Sequence, residues 1–265
     1  MKTTILNNGV SMPVVGYGTY QTPPRLTEAC VAAALSAGYL SIDTAQCYGN
    51  EREVGLACRR SGIARERLFI TTKLWGCRGY SDTLRSIDAS LNALDLGYID
   101  LLLIHEPSGD THEIYRAMET AYGKGLLRAI GVSNFLEERY LDLTRHCTVI
   151  PAVNQVETHV FRQQKKLREL EQQLGTIHES WSPLACGRHG IHQQPELLDM
   201  AARYEKTVAQ IALRFLTQQG IVVIPKSTDP RHMRENLDSL NFDMSTEDMQ
   251  TIEGLDEGRS LFGWW

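Results

Sequence analysis

The stretch Leu101-Leu102-Leu103-Ile104-His105 is apolar at four successive positions and then ends on a histidine. A strand with one buried face alternates apolar and polar residues, so an unbroken apolar run is typical of a parallel strand buried on both faces. The sequence predicts eight such strands. The other seven runs are Val14–Tyr17, Leu40–Ile42, Leu68–Thr72, Leu127–Val132, Ala152–Val156, Thr176–His178 and Ile221–Ile224.

Segments with helical periodicity separate these runs. In Ser81–Leu96 the apolar residues form one stripe, and Ser81 or Asp82 is expected to be the N-cap. Strand and helix alternating eight times in 265 residues favour an α/β fold, a closed (β/α)8 TIM barrel that forms a single domain over residues 1–265. The remaining predicted helices are Ala29–Ala37, Glu51–Arg60, Ile114–Gly123, Leu136–Arg145, Arg162–Leu174, Val208–Gln218 and Pro230–Leu240.

The first residues predict a separate β-hairpin. In the segment Ile5-Leu6-Asn7-Asn8-Gly9-Val10, the pair Asn8-Gly9 stands between extended stretches and favours a tight turn. Because this hairpin precedes the first barrel strand, we expect it to cover the N-terminal end of the barrel.

Composition and charge restrict the partners. The 27 basic and 32 acidic residues give a net charge of −5 without a basic block, which argues against nucleic acid as a partner. The six cysteines form no CxxC pair, and no segment has the apolar length of a signal core or a membrane span. We therefore expect a cytoplasmic, soluble monomer that acts on a small molecule and needs no metal and no membrane.

Four residues with complementary chemistry follow the predicted strands. In TIM barrels the active site lies at the C-terminal ends of the strands. Asp43 ends the second strand, Lys73 the third and His105 the fourth, and Tyr48 lies in the loop five residues beyond Asp43. The sequence therefore predicts that these side chains meet at one end of the barrel.

This set suits proton donation by a phenol. A tyrosine has a reference pKa of about 10, and an ammonium about 4 Å away at an effective dielectric of about 20 favours the phenolate by ~4 kcal/mol, or roughly three pKa units. We expect Lys73 to make Tyr48 acidic in this way, Asp43 to keep Lys73 protonated, and His105 to orient a substrate oxygen. A redox reaction at this site would need a bound cofactor to supply hydride.

At these residues the chain resembles the aldo-keto reductases. The segments Asn154–His159 and Glu179–Trp181 resemble most the short microbial members, the diketogluconate reductase-like group. The motifs that carry the resemblance span nearly the whole chain. In order they are Asp43-Thr44-Ala45, Tyr48-Gly49-Asn50-Glu51, Thr72-Lys73-Leu74-Trp75, Leu103-Ile104-His105-Glu106-Pro107, Gly131-Val132-Ser133-Asn134-Phe135, Asn154-Gln155-Val156-Glu157, Ser182-Pro183-Leu184 and Ile224-Pro225-Lys226-Ser227.

The resemblance implies an NADPH-dependent reductase of aldehydes and ketones, with Tyr48 as the proton donor, Lys73 and Asp43 tuning it, and His105 orienting the carbonyl. It also implies that Tyr20, Trp75 and Glu106 line the substrate pocket. The cofactor residues that it implies, from the nicotinamide end to the 2′-phosphate and adenine end, are Gly18, Thr19, Ser133, Asn134, Gln155, Trp181, Ser182, Leu184, Lys226, Ser227, His232, Glu235 and Asn236.

Two positions depart from the family pattern. His232 stands where the family commonly has an arginine on the 2′-phosphate, and a histidine is mostly uncharged near neutral pH. We therefore expect the preference for NADPH over NADH to be weaker than is usual in the family. This preference should increase below about pH 6.5, where the histidine becomes charged. The backbone amides at the helix end near Thr228-Asp229-Pro230 are expected to be available for phosphate. Glu106 stands where Trp or Gln is frequent, which predicts a preference for neutral substrates over keto acids.

Other interpretations compete with this one. Lys73 could be the Schiff-base nucleophile of a barrel aldolase, or the chain could bind NADPH as a non-catalytic regulatory subunit. A Rossmann fingerprint at Gly16-Tyr17-Gly18 is rejected, because Gln21 stands at the third glycine. The terminal pair Trp264-Trp265 fits either a substrate pocket or a tail docked on the outer wall.

Overall fold

Within residues 2–263, which the computed structural model describes, eight parallel strands follow chain order around one sheet. The strands of this sheet are β3 (Tyr17–Gly18), β4 (Ser41–Asp43), β5 (Phe69–Leu74), β6 (Ile99–Ile104), β7 (Leu127–Ser133), β8 (Val153–Glu157), β9 (Ile177–Trp181) and β10 (Val222–Val223), and β1 (Thr3–Ile5) and β2 (Ser11–Pro13) precede them. The last strand returns to the first, because Val223 N donates to Val14 O at 3.0 Å and Gly16 N donates to Val223 O at 2.8 Å. The predicted (β/α)8 barrel is therefore confirmed.

Helices lie between the strands in the same described part of the chain. Every predicted helix is present, and two further helices, Pro195–Tyr204 and Thr246–Glu253, were not predicted from the sequence. The helices are α1 (Pro24–Ala37), α2 (Glu51–Arg60), α3 (Tyr80–Leu94), α4 (Thr111–Gly123), α5 (Glu137–His146), α6 (Lys165–Leu174), α7 (Pro195–Tyr204), α8 (Val208–Gln218), α9 (Pro230–Asp238) and α10 (Thr246–Glu253). None of these helices is both long and apolar enough to cross a membrane.

The start of α3 differs from the sequence prediction. The helix begins at Tyr80 with Gly79 as its N-cap, so Ser81 and Asp82 both lie inside it. Asp82 points back and accepts a hydrogen bond from Arg78 N at 3.1 Å. The predicted cap at Ser81 or Asp82 is therefore wrong, because the chain turns into the helix at the side-chain-free Gly79.

The N-terminal hairpin covers the bottom of the barrel, as predicted. β1 and β2 pair antiparallel, and Asn8 Nδ2 donates to Arg128 O at 2.8 Å beside the start of β7. Leu6 and Met12 are buried and pack with barrel residues such as Leu101. The N-terminal end is thereby closed by apolar side chains, which leaves the opposite end for chemistry. Trp264 and Trp265 lie outside the described residues, so the question about them stays a prediction.

Close packing of α2 against α3 requires a glycine. A Cβ built on Gly55 would lie 1.9 Å from the backbone oxygen of Leu94 at the end of α3. Arg59 fixes the same end, because its Nη1 donates to Leu94 O at 2.7 Å. A side chain at position 55 would therefore push the two helices apart.

We predict that Gly55→Ala destabilises the protein by about 2 kcal/mol or more, since the overlap with backbone outweighs the better helix propensity of alanine. Urea unfolding measures this change. Gly123→Ala is the matched control, because Gly123 also lies in a helix and a Cβ there would meet nothing within 4 Å. Equal midpoints for the two variants would contradict the prediction.

Candidate active site

A buried ion pair forms the centre of the site. Asp43 ends β4, Lys73 lies in β5, and both are buried. Lys73 Nζ donates to Asp43 Oδ1 at 2.5 Å and to the backbone oxygen of Thr44 at 3.0 Å, and it lies 3.4 Å from Tyr48 Oη. The three hydrogens of the ammonium group thus point at three oxygens, one of which is the phenol oxygen.

Tyr48 sits in a short 3-10 helix, Gln46–Tyr48, that neighbouring side chains hold in place. Gln46 Oε1 accepts from Trp75 N at 2.9 Å and its Nε2 donates to Ser86 and Ser90 on α3. Asn50 is buried just after this helix and accepts from Thr44 Oγ1 at 2.6 Å. Gln46 was not predicted from the sequence as a residue that supports Tyr48. Its position between Asp43 and Tyr48 could have indicated this role.

The acidity of Tyr48 differs from the sequence-based expectation. Burial raises the pKa of Tyr48 to about 12, Lys73 lowers it and Asp43 raises it again. The expected net lowering of the Tyr48 pKa is therefore wrong, because the cost of withdrawing a phenolate from water outweighs the effect of the nearby ammonium. Burial alone would lower the pKa of Lys73, but Asp43 and then Tyr48 raise it above the ordinary value.

His105 follows β6 and lies next to the phenol. Its ring packs edge-on against Tyr48 at 5.7 Å and against Trp75 at 5.1 Å between centroids. Its Nδ1 is 3.5 Å from Cys47 Sγ. Burial and then Lys73 lower the pKa of His105 to about 3, so its imidazole is neutral at physiological pH. A neutral imidazole can donate one hydrogen bond without adding charge.

Aromatic side chains surround the mouth of the site. Tyr20 is 56% and Trp75 50% exposed, and the Tyr20 ring lies 5.1 Å from that of Tyr48. A cavity of about 340 Å³ opens beside Trp75, with Glu106 in its wall. Burial raises the pKa of Glu106 to about 7, whereas a hydrogen bond from Asn134 lowers it. Trp75 and Glu106 thus line one cavity, whereas Tyr20 packs against the ring of Tyr48.

The groups expected to hold a nicotinamide lie together on β7, β8 and β9. Ser133 Oγ is buried and has no hydrogen-bond partner among the described residues, so it is able to bond to a polar group of a ligand. Asn134 adopts a left-handed backbone with φ 62°, and its Oδ1 accepts from Trp181 Nε1 at 2.8 Å. Gln155 Nε2 donates to Asp43 Oδ2, which leaves Gln155 Oε1 as an acceptor. This cradle of polar groups beside an indole ring fits a carboxamide and its aromatic ring.

Other expected cofactor residues differ in exposure. Gly18 and Thr19 are buried, and Thr19 Oγ1 donates to the backbone oxygen of Asp43 at 2.9 Å. Ser182 and Leu184 are half-buried in the segment after β9. At the far end, Asn236 is buried, and the partly exposed or exposed residues are Lys226, Ser227, His232 and Glu235. The side chains of Thr19 and Asn236 are therefore shielded from the surface. The other residues of this group, apart from Gly18, have accessible side chains that a ligand can touch directly.

The start of α9 corrects one expectation. Asp229 is the N-cap and its side chain accepts from Arg231 N at 2.8 Å, with Pro230 at the first helical position. The cap was expected, but it was also expected to leave the helix-end amides available for phosphate. The capping carboxylate instead occupies the amide of Arg231, and Pro230 has no amide hydrogen.

One carboxyl group of the site was not predicted. Glu179 on β9 is buried, and its Oε2 accepts from Gln155 Nε2 at 2.8 Å. The signal was a carboxylate inside a buried strand, two residues before Trp181. The C-terminal segment also reaches the site, since the ring of Phe262 lies 5.2 Å from that of Trp181.

Comparisons with known proteins agree with this geometry. The profile of the Aldo/keto reductase family matches residues 14–257. Glyoxal reductase of Bacillus subtilis (strain 168) is 42% identical and the alignment covers 97% of this chain and 94% of the relative. Morphine 6-dehydrogenase of Pseudomonas putida is 39% identical, with 96% and 90% covered.

Solved structures give the same result. An aldo-keto reductase from a Medee basin deep-sea metagenome library superposes with a TM-score of 0.94 at 40% identity, covering 98% of this chain and 97% of that one. The aldose reductase of Schistosoma japonicum superposes with a TM-score of 0.93 at 32% identity, covering 99% and 94%. The chain therefore belongs to the aldo/keto reductase family.

Proposed function

We propose that this protein reduces aldehydes and ketones to alcohols with NADPH, and that Tyr48 donates the proton. The observation that carries the proposal is the contact of Lys73 Nζ with both Tyr48 Oη, at 3.4 Å, and Asp43 Oδ1, at 2.5 Å. When bound, NADPH would supply hydride for this reduction, and Ser133, Asn134 and Gln155 would hold its nicotinamide. The chain's own residues then have to protonate the oxygen.

A half-buried phenol can perform this step. With a pKa of about 12, Tyr48 stays protonated across the working pH range. An alcohol is a much weaker acid, with a pKa near that of water at about 15.7, so transfer from the phenol to a nascent alkoxide is downhill. Lys73 stabilises the phenolate that remains, and Asp43 keeps Lys73 charged.

Two alternatives are less well supported. A Schiff-base aldolase needs a neutral lysine, whereas Asp43 and Tyr48 raise the pKa of the fully buried Lys73 above its ordinary value. A non-catalytic NADPH-binding subunit would not need the phenol at all. The names glyoxal reductase and morphine 6-dehydrogenase, carried by relatives, favour carbonyl–alcohol chemistry on small molecules. We further propose that the protein is a cytoplasmic monomer with a single domain over residues 1–265.

We predict that Tyr48→Phe lowers the turnover of aldehyde reduction at least ~10²-fold, because it removes the proton and keeps the ring. NADPH binding, measured by quenching of tryptophan fluorescence, should persist. Tyr122→Phe is the control, since Tyr122 lies at the end of α4 near the hairpin and should leave turnover within about twofold. A Tyr48→Phe enzyme with normal turnover would remove the proposed proton donor.

We predict that discrimination against anionic substrates increases with pH. Glu106, with a pKa of about 7, is neutral in acid and negative in base, so a keto acid is repelled only as the pH rises through that value. The ratio of kcat/KM for an amide over its matching keto acid should rise between about pH 6 and about pH 8. In Glu106→Gln the ratio should stay flat; a ratio that rises equally in the variant would exclude Glu106 as the cause.

We predict a modest preference for NADPH over NADH that Asp229 limits. Its carboxylate occupies the start of α9, where Lys226, Ser227 and His232 are proposed to meet the 2′-phosphate. Asp229→Asn keeps a capping side chain and removes the charge, so NADPH should bind about two- to tenfold more tightly while NADH affinity is unchanged. Fluorescence titrations of both cofactors measure this, and a parallel change in the two affinities would contradict it.

A further inference from the structure

A hydrogen-bonded chain leads from Tyr48 to a second buried carboxyl group. Gln155 Nε2 donates to Asp43 Oδ2 at 2.9 Å and to Glu179 Oε2 at 2.8 Å. Asp43 accepts from Lys73, whose Nζ is 3.4 Å from Tyr48 Oη. Glu179 is 1% exposed. We call this connected set, from Glu179 through Gln155, Asp43 and Lys73 to Tyr48, the proton chain.

The proton chain contains more acid groups than bases. Lys73 is its single ammonium, and Asp43 already pairs with it at 2.5 Å. A second carboxylate would be a buried charge with only one N–H of Gln155 to stabilise it, which is unfavourable in a dry interior. Burial and then the charge of Asp43 raise the pKa of Glu179 to about 8, against the opposing effects of Gln155 and Lys73. Its strand partner on β10, Val222, is apolar.

We propose that Glu179 is a positioning residue that acts on Tyr48 through the proton chain, keeping its own proton during carbonyl reduction and blocking proton donation by Tyr48 once that proton is lost. This inference rests on the proposed reductase function. When Tyr48 gives up its proton it becomes an anion beside Lys73. An ionised Glu179 adds a further negative charge to the same dry cluster, so the phenolate is disfavoured. The proton of Glu179 itself leaves to solvent and takes no part in the reduction.

Glu179 also fixes the orientation of Gln155. Because both hydrogens of Nε2 are directed at carboxyl oxygens, Oε1 has to face the cradle formed with Ser133 and Asn134. In Glu179→Gln an amide oxygen can still accept from Gln155, so this orientation is retained while the titrating proton is removed. The variant thereby separates charge from geometry.

The first test is the pH profile of reduction. We measure kcat/KM for an uncharged aldehyde with saturating NADPH from about pH 6 to about pH 10, a span that brackets the pKa of about 8. In the wild type, kcat/KM should fall at least about threefold as Glu179 ionises. In Glu179→Gln, kcat/KM should change by no more than about 1.5-fold over the same pH range. A wild-type loss that persists unchanged in Glu179→Gln overturns the proposal.

The control is Glu171→Gln. Glu171 on α6 is also a buried carboxylate, and it accepts from Asn154 Nδ2 at 2.7 Å and from His178 Nδ1 at 2.6 Å, outside the proton chain. Its replacement should leave the wild-type pH profile in place. A profile flattened equally by Glu171→Gln would show that any buried carboxylate has this effect, and the assignment to Glu179 would be wrong.

The second test needs neither cofactor nor activity. The pKa of Glu179 is raised on folding, so the stabilisation that its proton gives is present at low pH and is lost as the pH rises through the folded-state pKa. The urea midpoint of the wild type should therefore fall, relative to that of Glu179→Gln, between about pH 5 and about pH 8, where the unfolded carboxyl is ionised and the folded one is not. The wild type should also show the infrared carbonyl band of a protonated carboxyl that disappears as the pH rises through about 8.

These readouts separate the two proposals. If the wild type reduces no carbonyl in a broad panel, the proposed function fails, and the unfolding and infrared measurements still decide whether Glu179 carries a proton. If the wild type is active but its midpoint and infrared band are independent of pH relative to Glu179→Gln, the role of Glu179 is refuted while the reductase function stands.

Discussion

The buried pair of Lys73 and Asp43 is the interaction on which the rest of the site depends. A fully buried ammonium is unfavourable without a counter-ion, and here neighbouring strands supply both partners, with Nζ 2.5 Å from Oδ1. The remaining hydrogens of the ammonium reach Thr44 O and Tyr48 Oη. Because closure of the barrel fixes both strands, the position of the phenol is set by the same packing that makes the fold.

Burial shifts the pKa values of the groups around this pair in opposite directions, raising those of the acids and lowering that of the histidine. It keeps the pKa of Tyr48 high, at about 12, and that of His105 low, at about 3, so that both stay uncharged. It also raises the pKa values of Glu106 and Glu179 into the range near neutrality. A single physical cause therefore keeps the proposed proton donor protonated and the neighbouring histidine neutral, and it leaves two carboxyl groups able to respond to pH.

The two ends of the site differ in burial and in how their polar groups are hydrogen-bonded. The end proposed to hold the nicotinamide is preorganised, with Ser133 Oγ buried and unpartnered among the described residues and Asn134 held by Trp181. The end proposed to meet the phosphate is exposed, and there Asp229 occupies the amide of Arg231, which an anion could otherwise bind. Tyr20 and Trp75, which are proposed to contact the substrate, are both about half exposed. The groups proposed to react are thus held firmly in place, whereas the entrance of the site is open.

The sequence by itself determined the barrel, the hairpin at its bottom and the positions of Asp43, Tyr48, Lys73 and His105. It could do so because buried parallel strands leave unbroken apolar runs, and the chemistry of this fold lies where those runs end. Only the tertiary structure decided that burial outweighs the effect of Lys73 on the pKa of Tyr48, that Asp229 occupies the amide of Arg231 at the start of α9, and that Glu179 joins Asp43 through Gln155. These outcomes depend on distances and on the loss of water between residues far apart in the chain, and local patterns of sequence do not encode either quantity.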